Sequence, residues 1–197
     1  NYPRLRSARV FLEGLARVAA RRPVRFVNHG EVRPDDLAHA RRLGLDGSIA
    51  CPGYLPYADG PRALSRAHVL LLEQRNEAAV QIPGKFYDYL LARRPILSLS
   101  RNPELAEALA ASGIGVEVDP SSPAAVAAAL ERLADLDLDR FDARFDHASL
   151  ARFSAEHTTR ALARIFDAAA GAARAYPRAG AAPGAAAPSA AAVVTTA

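Results

Sequence analysis

The strongest constraint on this chain is an alternation. Short apolar runs of β-type composition are separated by longer segments with helical periodicity. The runs VRFVN (24–28), SIAC (48–51), HVLLL (68–72), PILSLS (95–100) and IGVEV (114–118) read as strands. They are short and nearly continuous in apolar residues, as strands covered on both faces should be. Between them lie helical stretches. RSARVFLEGLARVAARR places Val10, Phe11, Leu15 and Val18 on one face. PDDLAHARRLGL opens with Pro34 and two acids, which suits a helix N-terminus. GPRALSRA, GKFYDYLLARR, PELAEALAAS and PAAVAAALERLADL follow, with starts at Asn102-Pro103 and Ser122-Pro123 and a stop at Gly113. A last helix is predicted from about Ser154 to Ala173. Strands and helices alternating at this spacing predict βαβ units, a parallel sheet and helices on both faces. In such sheets ligands bind beyond the carboxyl ends of the strands.

The chain has 197 residues, enough for one ordinary domain and an extension. From Tyr176 the sequence is rich in Ala, Pro and Gly and nearly free of charge. The division is therefore 1–175 as a folded domain and 176–197 as a disordered tail. Since the first residue is Asn1, the chain reads as a piece of a longer protein. The net charge of +4 and pI of about 9.6 come from an arginine-biased surface with acids interspersed. No basic run alternates with aromatics, so no nucleic-acid partner is expected. No apolar stretch is long enough to span a membrane. The one cysteine, Cys51, follows an apolar run and is expected to be buried. His29, His39, His68, His147 and His157 show no metal-ligand spacing with one another or with Cys51, so no metal site is expected. His29 is expected to be a hydrogen-bonded loop residue. Neither a Ser-His-Asp elbow nor a Walker-type glycine loop is present.

The segment that carries chemistry is QIPGKFYDYLLARRPILSLS (81–100). Lys85 is the only lysine among 25 basic residues. Pro83 and Gly84 precede a helix whose first N–H groups have no internal partners. Such a helix start can take a phosphate, and glycine lets a bulky anion approach. Lys85 adds a positive charge there. Asp88 lies one turn on along the same face, where it could accept two hydrogen bonds from a vicinal diol such as a ribose. Phe86, Tyr89 and Leu90 would pack into the core. The residues alone leave two readings open: a nucleoside diphosphate site, or an exposed Lys85–Asp88 ion pair.

This stretch resembles the nucleotide-sugar-binding, C-terminal domain of GT-B glycosyltransferases, of the glycosyl transferase group 1 (family 4-like) type. IPGKFYDYLLARRPILSLS is similar to a pattern of Pro-Gly-Lys, an acid, Tyr-Leu-Ala, a turn and Pro-Ile-Leu. FLEGLARVAARRPVRFVNHGE, ACPGYLPYADGPRALSRAHVLLL and GIGVEVDPSSPAAVAAALERL resemble further pieces in order. The resemblance covers about residues 4 to 170 and implies a Rossmann-like α/β fold, the C-terminal half of GT-B. It also implies donor-binding roles for Gly84, Lys85 and Asp88, with Asp88 where the family has a ribose-holding Glu. Arg6 best matches a diphosphate-contacting basic residue, with a solvated surface position as its alternative. Gly53 and Tyr54 fall in the base-recognising loop. Many members carry another acid eight residues before the ribose acid. Here that position is Val80, and Glu77 is out of register.

The implied function is the donor-binding half of a glycosyltransferase. It would move a sugar from a nucleotide-diphosphate sugar to a glycan or lipid-linked acceptor, with retention, without a metal and with no cofactor. The acceptor would be held by an N-terminal domain that this chain lacks, so the chain alone would be inactive, and its catalytic residues are unassigned. The implied location is the cytoplasm, with peripheral contact at the inner face of the membrane left open. Two other readings stand beside it: a non-catalytic nucleotide-sugar-binding or interaction module, and a UDP-sugar epimerase-like GT-B protein.

Overall fold

A computed structural model of the chain describes residues 8–74, 82–143 and 147–175. It has two compact units, Asn1–Ser154 and Ala155–Ala197. The expected tail at 176–197 lies outside the described residues.

The first unit begins with α1 (Arg9–Ala19), β1 (Phe26–Val27), α2 (Pro34–Arg42) and β2 (Ile49–Ala50). A 3-10 turn (Tyr57–Asp59), α3 (Gly60–Ser65) and β3 (Leu70–Glu73) follow. Next come α4 (Gly84–Ala92), β4 (Ile96–Leu99), α5 (Pro103–Ser112), β5 (Gly115–Val118) and α6 (Pro123–Ala134). The short helices α7 (Leu138–Ala143) and α8 (His147–Leu150) and a turn at Ala151–Phe153 close the unit. The second unit is described by α9 (Ala155–Ala175).

All strand pairing among the described residues is parallel, as the alternation predicts. It forms two ladders, β1–β2 and β3–β4–β5. The outer strands are shorter than their apolar runs. The β1–β2 pairing is nevertheless extended by backbone bonds from Phe26 N to Ser48 O and from Asn28 N to Ala50 O, at 2.7 and 2.9 Å.

Register explains the two cores. Leu71, Leu97 and Val116 lie side by side and face one core, with Leu99 and Val118 one step on. Phe11, Leu12 and Leu15 of α1 and Val126, Ala129 and Leu133 of α6 cover that face. Phe26 and Ile49 pack against the same core, so it joins the two ladders. Leu72 and Ile96 face the other way, under Phe86 of α4 and Leu105, Ala108 and Leu109 of α5. Helices therefore lie on both faces, and the fold is a Rossmann-like α/β layer structure.

Local chemistry sets the ends. Asn102 Oδ1 caps α5 by accepting from Glu104 N and Leu105 N, at 3.0 and 3.3 Å. Ser122 Oγ caps α6 by accepting from Ala125 N at 3.2 Å. Gly113 ends α5 in the left-handed region, at φ 68°. Asp36 is buried at the start of α2, where its Oδ2 accepts from Ala8 N at 3.0 Å and pins the entry of α1.

Candidate functional site

The helix that the sequence singles out forms as expected. α4 starts at Gly84 after Pro83, whose backbone is extended (φ −61°, ψ 141°). No side chain caps this end among the described residues, and its first turn holds no acid. The Phe86 N–H bonds back to Pro83 O at 2.9 Å. The N–H groups of Gly84 and Lys85 come too early in the helix for an intrahelical partner. A Cβ placed on Gly84 would meet nothing within 4 Å. Packing among the described residues therefore does not demand glycine here.

Lys85 and Asp88 are both exposed. No ion pair or hydrogen bond among the described residues joins them to each other or to another side chain. The surface-pair reading thus finds no support among the described residues. One buried side chain anchors the helix between them: Phe86, at 0% exposure, sits under Leu105 and Leu109 and meets Phe153 edge-on at 5.3 Å. Tyr89 and Leu90 pack partly against the same core, as expected.

The loops after β1 and β2 form a second group. Gly53 is left-handed at φ 88°, a conformation that suits glycine. Tyr54 is 74% exposed, and its ring approaches Gly30 of the neighbouring loop, 3.9 Å from where a Cβ would stand. Tyr57, just beyond, is 95% exposed. α3 packs along α4, and Arg94 Nε donates to Ser65 O at 2.8 Å, tying this region to the far end of α4. Arg6, Glu77 and Val80 lie outside the described residues.

Two expectations are corrected. Cys51 is exposed rather than buried, because β2 ends at Ala50 and the chain leaves the core at once. His29 is exposed, and the hydrogen bond expected to tether it is not found among the described residues.

A polar network at the carboxyl ends of β3, β4 and β5 escapes sequence reading. Asn102 Nδ2 donates to Gln74 Oε1 at 3.2 Å, and Asn102 N donates to Ser100 Oγ at 3.1 Å. Ser100 Oγ in turn donates to Glu117 Oε2 at 2.8 Å. Gln74, Ser100 and Asn102 are buried. Its members are scattered along the chain and meet only through the parallel register.

Burial pushes the Glu117 carboxyl above its ordinary value, while the Ser100 bond pulls it down. A carboxyl raised on folding contributes stability that is fully present below its unfolded pKa. That contribution is lost as pH rises through the folded value. Glu117→Gln should therefore gain stability relative to the natural protein on going from about pH 4 to about pH 7. Paired urea melts at both pH values check this, and a difference that stays constant or reverses would contradict it.

The described residues hold no cluster of three or more His, Cys, Asp or Glu suited to a metal ion. No described helix is long and apolar enough to cross a membrane.

Residues 2–135 match the family of glycosyl transferases group 1. The chain belongs to the group 1 glycosyl transferases. Among solved structures, HepE of Anabaena, crystallised in complex with UDP and glucose, superposes on this group 1 domain with a TM-score of 0.60 at 14% identity. The match covers 81% of this chain and 44% of HepE, so the chain spans less than half the length of that neighbour. No curated protein matches it. The family is the one the PGKFYDYL segment pointed to, and the neighbour shares the α/β fold.

Proposed function

We propose that this chain is the donor-binding half of a glycosyltransferase that takes its sugar from a nucleotide-diphosphate sugar. The observation that carries the reading is the uncapped start of α4. Clearance around Gly84 and the charges of Lys85 and Asp88, without side-chain partners among the described residues, stand together there, in a group 1 glycosyl transferase domain. The diphosphate sits on the first N–H groups of α4 beside Lys85, and Asp88 accepts from the two ribose hydroxyls. Gly53 and Tyr54 face the base, and Arg6 is the basic residue that the family resemblance assigns to the diphosphate. That the neighbour HepE was crystallised with UDP and glucose supports this choice of ligand.

In the transfer, the bond from the sugar's anomeric carbon to the diphosphate oxygen breaks. A bond from that carbon to an acceptor hydroxyl oxygen forms, with retention, and the hydroxyl proton is released. Negative charge grows on the leaving diphosphate, where Lys85 and the α4 dipole stabilise it without a metal. The acceptor, a glycan or a lipid-linked molecule, is held by a further N-terminal domain. The reaction runs in the cytoplasm, and this chain alone binds donor without turning it over. A non-catalytic nucleotide-sugar-binding module is the second reading, favoured by Val80 at a position where the sequence pattern calls for an acid.

A thermal-shift screen with UDP, GDP and their sugars tests the reading. Ligands that bind only the folded state raise the melting temperature with concentration. A folded sample whose melting temperature none of them moves would overturn it.

A further inference from the structure

Tyr89 lies on α4 one residue after Asp88 and one turn after Lys85, on the side of the helix between Lys85 and the buried Phe86, and packs half-buried against the core. Its hydroxyl donates to Leu71 O in the middle of β3 at 3.0 Å. In a parallel ladder alternate residues of a strand bond to the same neighbour. Leu70 and Gln74 donate to β4, through Pro95 O and Leu99 O at 2.8 and 3.0 Å. Leu71 is out of phase with them, so its carbonyl is directed away from β4 and is free to take a side-chain donor.

A helix packed by apolar contacts alone can roll and slide by fractions of an ångström. A directional bond from helix to strand removes that freedom. Phe86 anchors the first turn of α4 in the core and Tyr89 ties the second turn to the sheet, which leaves Lys85 and Asp88 facing outward from a fixed rotation. We propose that Tyr89 is a positioning residue for the donor: its hydroxyl, through Leu71 O, sets the rotation of α4 that presents Lys85 and Asp88 together. The inference rests on the donor-binding reading of α4. Burial, with the charges of Asp88 and Glu73 adding, pushes the Tyr89 hydroxyl up to about 12, so it stays protonated and able to donate across the neutral range.

Tyr89→Phe removes the hydroxyl and keeps the ring. UDP binding by calorimetry should weaken by about five- to tenfold, the worth of one hydrogen bond expressed in affinity. Amide hydrogen exchange of Phe86 to Tyr89 should quicken without any nucleotide. Ser112→Ala removes a different buried bond, from Ser112 Oγ to Ala108 O at 2.6 Å, and serves as a control for stability alone. It should leave UDP affinity and α4 exchange unchanged. Unaltered exchange and affinity in Tyr89→Phe, or equal losses in Ser112→Ala, would overturn the positioning role. A natural protein that binds no nucleotide sinks the donor reading and, with it, any role in positioning a donor. The exchange measurement still decides whether the tether itself exists.

Discussion

Replacing Gly115 by alanine should destabilise the protein by about 3 kcal/mol and lower its melting temperature by roughly 6–12 °C. The first residue of β5 lies directly beside Ile96 of β4. A Cβ there would overlap the Ile96 carbonyl oxygen and stand 2.9 Å from the Ile96 carbonyl carbon and Cβ. The obstacle is backbone of β4, the middle strand of a three-stranded ladder, so no side-chain rotation can relieve it. Gly14 makes a useful comparison. A Cβ on that residue of α1 would come 2.5 and 2.7 Å from Val126 Cγ1 and Cβ, and 3.0 Å from Pro123 O of α6. Part of this obstacle is a side chain on a helix that can shift. Gly14→Ala should therefore cost less, about 1–2 kcal/mol. Thermal melts of both variants check the order. A Gly115→Ala protein melting within about 2 °C of the natural one would contradict the close β4–β5 packing.

Lys85→Ala and Asp88→Ala should each weaken nucleoside diphosphate binding about 10- to 100-fold, the range for a charged hydrogen bond. Both side chains are exposed and without protein partners among the described residues, so neither change should move the melting temperature of the free protein appreciably. That separation distinguishes a ligand site from a structural one. Lys85→Arg should recover only part of the loss, since a planar guanidinium does not substitute for a compact ammonium beside a helix start. Asp88→Glu should retain binding, because it keeps the carboxylate. Calorimetric titration with UDP and GDP gives the affinities. Full affinity in both alanine variants would return Lys85 and Asp88 to the surface.

Much of this was legible in the sequence because the signals are local. Proline and asparagine or serine at helix starts, glycine at the end of α5 and apolar runs between them mark elements without reference to the rest of the chain. The PGKFYDYL segment was legible for the same reason: helix start, glycine, cation and acid all lie within one turn and a half. What depends on distant partners was not. The division of the strands into two ladders is a matter of which edges meet. The exposure of Cys51 depends on where β2 stops pairing, which the apolar run SIAC overshoots. The Gln74–Asn102–Ser100–Glu117 network joins the ends of three strands, and only parallel register brings them together. Tyr89 was readable as a core residue by its spacing from Phe86. Its bond to Leu71 was not, because that needs the phase of β3 against β4.

The most direct test of the central claim is to locate the nucleotide on the protein. UDP added to isotopically labelled protein should shift the backbone amide resonances of Gly84, Lys85 and Phe86 most, with smaller changes at Gly53 and Tyr54. Saturating shifts confined to other surfaces, with the α4 amides unmoved, would contradict a donor cradle at the start of α4.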